Sequence, residues 1–270
     1  MSSQIKKISE TEVAIDAARN GSPLPYRQLN ALIHEMHDEG FEVIHVKNVY
    51  GQRFICAGME GNPTVNIYGT PGNDLGVFME GPTINVYGSA EDQAGNTMNG
   101  GKIIIHGNAW DVTGLAARGG SIFVKGNGGY RIGIHMKEYK SKRPVIVYGG
   151  VAKEFFGEYM AGGLLMALGL EEDKGRWRDN TEHPVVGESL ATGIHGGVIF
   201  IRGRVDVKSL GVGATISEIT SKDKRILDTA IQEFCKHFGA PEHLVYQKQF
   251  TKIMAGSARP FAGFYSSNPI

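Results

Sequence analysis

Cysteine is nearly absent: Cys56 and Cys235 are the only two in 270 residues. They form no CxxC pair and no metal-ligand spacing, so two reduced, buried thiols in a cytoplasmic protein are expected. No charge sign is in excess, since 28 Lys and Arg balance 28 Asp and Glu. That excludes the basic footprint of a nucleic-acid binder and an acidic tail for cationic partners. A chain near zero net charge also lacks the self-repulsion that keeps a lone protein soluble, which favours life inside an assembly. Composition leaves a homo-oligomer open. No apolar run approaches the roughly 18 residues of a membrane span, so no membrane partner is expected. The polar stretch from Met1 to Glu10 has no apolar core, so no signal peptide is expected either.

What the chain has in excess is glycine, 38 residues without a Gly-X-Y period. Short β-branched runs end on it: Thr64-Val-Asn-Ile-Tyr-Gly69, Thr83-Ile-Asn-Val-Tyr-Gly88, Lys102-Ile-Ile-Ile-His-Gly107, Ser121-Ile-Phe-Val-Lys-Gly126 and Pro144-Val-Ile-Val-Tyr-Gly149. The terminal glycines are 19, 19, 19 and 23 residues apart, with weaker members at Gly169 and Gly203. A second ladder keeps the same step at Gly76, Gly95, Gly114 and Gly133, each followed three residues on by Met79, Met98, Ala117 or Met136, and continues at Gly157 and Met160. One such unit cannot bury its apolar face, but stacked units can. The fold class that follows is all-β. It is a right-handed parallel β-helix, a single-stranded solenoid with a repeat of about nineteen residues and two strand segments per repeat.

Alternation within a strand sends every second side chain inward. The expected inward columns are Val65, Ile84, Ile103, Ile122 and Val145, and Ile67, Val86, Ile105, Val124 and Val147. The methionines would add a third. The outward columns read Asn66, Asn85, Ile104, Phe123 and Ile146, and Tyr68, Tyr87, His106, Lys125 and Tyr148. Residues 142–144 and 170–191 break the period, and the second break is expected to project as a charged loop. Residues 25–39 and 221–238 carry apolar residues at helical spacing, with Pro25 at a first turn, Ser221 as an N-cap, and Gly40 and Gly239 as stops. Both helices are expected to cap the coil. The chain thus divides into an N-terminal segment with its capping helix (1–41), the β-helix (42–205), and a C-terminal helix with an aromatic tail (206–270). The tail is expected along the coil or on a partner.

Sites for chemistry are sparse. Neither outward column holds a carboxylate, and stacked Asn and Tyr ladders read as structural. His34, His37 and Asp38 share a helix, but HEMHD is not HExxH, and a solvated helix face is expected. His106, His135 and His195 fall at repeat positions and are expected to decorate turns. No serine sits in a nucleophile elbow. Gly126-Asn-Gly-Gly129 and Gly211-Val-Gly-Ala214 lack the GK that a phosphate loop requires. No catalytic, cofactor-binding or metal-binding residue is therefore assigned. One partner signal remains: Ile104, Phe123 and Ile146 form an apolar strip that is costly to leave wet. Either the chain's own helix or tail covers it, or another subunit does.

The repeated unit, as in Gly95-Asn-Thr-Met-Asn-Gly-Gly-Lys-Ile-Ile-Ile-His-Gly107, resembles the GXGXG domain of glutamate synthase, the C-terminal β-helix of its large subunit. Tyr26-Arg-Gln-Leu-Asn30, Asn48-Val-Tyr-Gly-Gln-Arg-Phe54 and Thr192-Gly-Ile-His-Gly-Gly-Val-Ile-Phe-Ile-Arg-Gly203 are similar to stand-alone microbial forms, and the likeness spans residues 12–255. In that family glutamine is hydrolysed at an N-terminal cysteine, and ammonia travels to an FMN and iron–sulfur domain for reduction onto 2-oxoglutarate. The β-helix holds those parts in register. This chain has neither a Met-Cys start nor a cysteine cluster. The resemblance therefore implies a scaffold whose partners are a glutamine amidotransferase and an FMN-dependent synthase, with FMN and iron–sulfur held by those partners. Formylmethanofuran dehydrogenase and N-methylglutamate synthase each have one subunit that shares the domain, and membership of one of those complexes is the alternative reading. A carbohydrate-active β-helix enzyme is the alternative of another class. It requires paired carboxylates on one open face.

Overall fold

The nineteen-residue period is one turn of a coil. The computed structural model describes residues 4–180 and 183–256. Its elements begin with β1 (Ile5–Lys7), β2 (Glu12–Asp16), the small hairpin β3 (Ala18–Arg19) and β4 (Ser22–Pro23), and α1 (Tyr26–Asp38). The coil strands follow: β5 (Val43–Tyr50), β6 (Thr64–Thr70), β7 (Thr83–Tyr87), β8 (Lys102–Ile105), β9 (Ser121–Val124), β10 (Val145–Tyr148) and β11 (Ala161–Ala167). A hairpin of β12 (Leu170–Asp173) and β13 (Arg176–Asp179) precedes β14 (Gly196–Arg202). The chain continues with β15 (Ala214–Ser217), α2 (Ser221–Phe238), the short α3 (Glu242–Val245) and β16 (Phe250–Ala255). Twelve strands form one sheet in the order β1-β2-β5-β6-β7-β8-β9-β10-β11-β14-β16-β15. From β2 to β14 all neighbours are parallel.

Parallel pairing in register stacks like on like. One inward column runs Val13, Ile44, Val65, Ile84, Ile103, Ile122, Ile146, Leu165 and Ile199. Every member is buried. Met79, Met98, Met136 and Met160 fill the opposite side of this core, each no more than 1% exposed. Flexible thioethers suit the irregular gap between strand and turn.

The structure corrects the expected columns at one step. Ile146 pairs with Ile122 and points inward, while Val145 pairs with Ser121 and Val147 with Phe123. The β9-to-β10 step is therefore 24 residues rather than 23. The glycine that answers Gly126 is Gly150, whose N–H donates to the Gly126 carbonyl at 2.9 Å. A slip of one residue exchanges the two faces of a strand. The slip brings Tyr148 into the core, where it is fully buried and donates its hydroxyl to the Ala109 carbonyl at 3.2 Å. Gly128 makes the room: a Cβ there would sit 2.7 Å from Tyr148 Cε1.

The second ladder is not a second strand. It is a turn in which every other residue takes the left-handed conformation, at seven levels: 54/56/58, 74/76/78, 93/95/97, 112/114/116, 131/133/135, 155/157/159 and 189/191/193. The alternation aims successive N–H groups at opposite neighbours. Val112 and Ala116 donate to Tyr130 and Ile134 of the next coil, and Gly114 donates to Ala94 of the previous one, all at 2.8 Å. Ladder hydrogen bonding thus continues without extended backbone. The middle position is glycine at five levels for a second reason, space. A Cβ on Gly114 would lie 2.1 Å from Ile146 Cδ1.

The two helices differ in role. Leu29, Ile33 and Met36 of α1 join the inner core and close the side of the first coil. Helix α2 lies along the flank of the coil, and the end of the stack is closed by β16 and β15. Its N-cap is Thr220, one residue before the expected Ser221. Thr220 forms a capping box with Asp223, and Gly239 ends the helix at φ +67°. The 170–191 insertion does not project as a plain loop. Its hairpin packs Trp177 against Phe234 of α2, ring centroids 5.9 Å apart. The aromatic tail enters through β16, and from residue 257 it lies outside the described residues.

Candidate functional site

The apolar strip is split by the true register. Phe123 is fully buried under α2, its ring 5.0 Å from that of His237. Ile104 is 5% exposed, and Ile146 belongs to the core. With Val147, Met166 and Phe200, Phe123 forms a second core against Leu227, Ala230, Ile231 and Phe234 of α2. Of the two covers open to it, Phe123 has the chain's own helix. Burying each large side chain contributes roughly 1.5–3 kcal/mol, which fixes α2 to the flank. Lys252 anchors the start of α2, 2.8 Å from Asp223. Burial alone would raise that carboxyl, but hydrogen bonds from Lys252 and Thr220 outweigh it and hold it at about 2.

The second outward column is a stack of rings. His45, Tyr68, Tyr87 and His106 follow one another at centroid separations of 5.9, 5.0 and 4.9 Å, and Phe238 closes the row edge-on at 5.3 Å. His45 Nε2 lies 2.6 Å from Glu12 Oε1. Lys125 sits on Trp177 and pairs with Glu172 at 2.6 Å. Tyr148, expected in this column, is the inward residue described above. His135, at a turn as expected, stacks on Tyr159 at 5.4 Å.

The polar corners form two staircases. Ser89 Oγ accepts from the Asn108 N–H at 3.1 Å, Asn108 Oδ1 from Asn127 at 2.8 Å, and Asn127 Oδ1 from Val151 at 3.0 Å. Beside it, Asp92 Oδ1 accepts from the Asp111 N–H at 3.1 Å and Asp111 Oδ1 from Tyr130 at 2.9 Å. Asp92 and Asp111 are carboxylates on successive coils, the pattern a carbohydrate-active site requires. Here they do what Ser89 and Asn108 do one step away, residue types without acid–base chemistry. The corner needs an acceptor, and carboxylate serves as one. Gly126-Asn-Gly-Gly129 is a stretch of the same corner, and the Gly211 N–H donates to Leu190 at 2.7 Å, so both glycine strings are coil backbone.

The sequence model of the GXGXG motif family matches residues 44–256. This chain belongs to the GXGXG family. It is also 49% identical over 261 residues to an uncharacterized protein of Methanocaldococcus jannaschii, an alignment covering 94% of this chain and 97% of that protein. The GXGXG match begins inside β5 and runs through α2 to the end of β16, so the flank helix lies within the matched unit.

The left-handed turn face of this GXGXG coil carries a set of exposed aromatic rings. Phe78, Trp110, Tyr130 and Tyr159 are each at least 36% exposed. Lys153 lies 4.8 Å from the Tyr130 ring centroid and Arg131 4.4 Å from that of Phe155. Arg131 also holds the buried Glu158 at 2.9 Å. Aromatic and arginine side chains of this kind are enriched where proteins meet. Burial raises the Cys56 thiol to about 12, and burial, with Glu242 nearby, raises Cys235 to about 11, so neither is poised as a nucleophile. Among the described residues no group of three or more His, Cys, Asp or Glu could hold a metal. None of their helices is long and apolar enough to cross a membrane.

Proposed function

We propose that this chain is a scaffold subunit of a glutamate synthase-type complex, without a catalytic site of its own. It holds a glutamine amidotransferase part and an FMN-dependent, iron–sulfur synthase part in register, in the cytoplasm. The carrying observation is the commitment of the polar corner side chains: Ser89, Asp92, Asn108, Asp111 and Asn127 each secure a backbone amide of the next coil. Membership of the GXGXG family supports the choice of complex. The iron–sulfur cluster does not fit this chain. Such clusters take four thiolates, and the two cysteines here lie in separate cores. In this reading cluster and flavin belong to the partners, which dock on exposed aromatic surface such as the turn face.

Affinity purification of the tagged chain from its native cells tests this reading. Co-purification of an amidotransferase and an FMN-binding synthase is the expected result. An amidohydrolase with a molybdopterin-binding protein would replace it with the formylmethanofuran dehydrogenase reading. Glutaminase activity or bound FMN in the isolated chain would overturn the scaffold role itself.

A further inference from the structure

Between β9 and β10 the nineteen-residue step grows to 24, and the added residues build something. Tyr139 and Lys142 exchange backbone hydrogen bonds at 3.0 Å, making a tight hairpin with Lys140 and Ser141 at its tip. Lys140 holds φ +55°, a conformation glycine or asparagine adopts at lower cost. The hairpin folds back over the preceding coil: a Cβ on Gly119 would lie 3.3 Å from Lys142 Cβ. Lys142 reaches further, to an ion pair with Glu80.

Beneath the hairpin lies one corner column. Glu80, Asn99, Arg118 and Lys137 occupy the same position on successive coils, each donating its N–H to the coil before. Hairpin and column border a half-open cavity of about 590 Å3. Its walls carry four cations, Arg118, Lys137, Lys140 and Lys142, with Asn99 and Tyr139 between them. Only Lys142 has a carboxylate partner; among the described residues none pairs with Arg118, Lys137 or Lys140. In a chain of zero net charge, three cations without a carboxylate partner around one concavity make a local positive patch that favours an anion. The volume is that of a small-molecule site.

We propose that this cavity binds a compact multivalent oxyanion, of the polyphosphate or the polycarboxylate class. The site is independent of any scaffold role, because it is built wholly within this chain. Calorimetric titration of the full chain with inorganic triphosphate, and separately with citrate, tests it and distinguishes the two classes. We expect saturable binding of one equivalent of at least one probe. The affinity should fall at least tenfold in Arg118→Gln/Lys137→Gln and stay unchanged in Lys47→Gln, an exposed lysine of β5. Both altered column side chains are exposed, so the variant should keep the parent's denaturation midpoint. Failure to bind either probe overturns the proposal. So does equal weakening by Lys47→Gln, which would reveal diffuse charge attraction instead of a site.

Discussion

Gly114→Ala should destabilise the coil by about 2–5 kcal/mol, and the loss should depend on the side chain at 146. Two terms contribute. Gly114 holds φ +72°, where an L-residue loses roughly 1–2 kcal/mol. The new Cβ would also lie 2.1 Å from Ile146 Cδ1, and forcing such an overlap in a packed core costs about 1–3 kcal/mol. Gly58→Ala separates the terms: φ is +62° but nothing lies within 4 Å of a Cβ there, so only the backbone loss of about 1–2 kcal/mol applies. Ile146→Val deletes the colliding atom. Alone it should cost about 0.5–1.5 kcal/mol. Combined with Gly114→Ala it should return about 1–3 kcal/mol of coupling, since neighbours that touch are not additive. Urea denaturation of the four proteins of this cycle, followed by far-ultraviolet circular dichroism, gives the coupling directly. Additivity to within about 0.5 kcal/mol would refute the reasoning. It would mean that Ile146 does not reach Gly114, as in the 23-residue register that turns Ile146 outward.

Arg202 is 1% exposed and donates to the Val245 carbonyl at 2.7 Å, the Leu244 carbonyl at 2.8 Å and Asp179 at 2.6 Å. Arg202→Met should cost about 3–5 kcal/mol and speed amide exchange in α3 and β13; a loss under about 1 kcal/mol would show the network to be dispensable. Cys56 and Cys235 should resist a thiol-specific reagent at pH 8 in the native protein and react in denaturant, whereas labelling without unfolding would contradict their burial. Burial, then Lys102, lowers the pKa of His237 in the folded chain. The unfolded chain then takes up a proton first as pH falls below about 6.5, so stability declines with acidification. The denaturation midpoint should drop between pH 7 and 5, less steeply in His237→Gln; an unchanged slope in that variant would assign the drop to other groups.

The strands were legible because isoleucine and valine recur at a fixed step, and parallel pairing turns that step into columns. The register at β10 was not, because Tyr148-Gly149-Gly150 offers two glycines. Which one ends the strand depends on whether a tyrosine fits above Gly128, a fact of packing. The left-handed turns were legible only where glycine fills them. Val112 and Phe155 take φ of +61° and +63° with nothing in their identity to announce it. That Phe123 needs a cover follows from its chemistry. That α2 provides it follows only from where the chain runs after β14. The oxyanion cavity combines an insertion with a corner column, Asn99, Arg118 and Lys137, that carries no strand signal. Its mark in the sequence is the cationic run from Lys137 to Arg143 at the point where the period breaks.

A reversed strand covers the coil at each end: β1 is antiparallel to β2, and β16 is antiparallel to β14, with β15 beyond it. A further parallel turn cannot pair with β2 or β14, whose outer edges are already taken by β1 and β16, so the stack has a defined length. Seven turn levels about 4.8 Å apart leave six gaps, a rise of about 29 Å. Duplicating or deleting one nineteen-residue unit would change that rise by about 4.8 Å and leave the cross-section as it is. Distance along this molecule is thus a digital quantity, adjustable in whole steps without redesigning a single contact at either end.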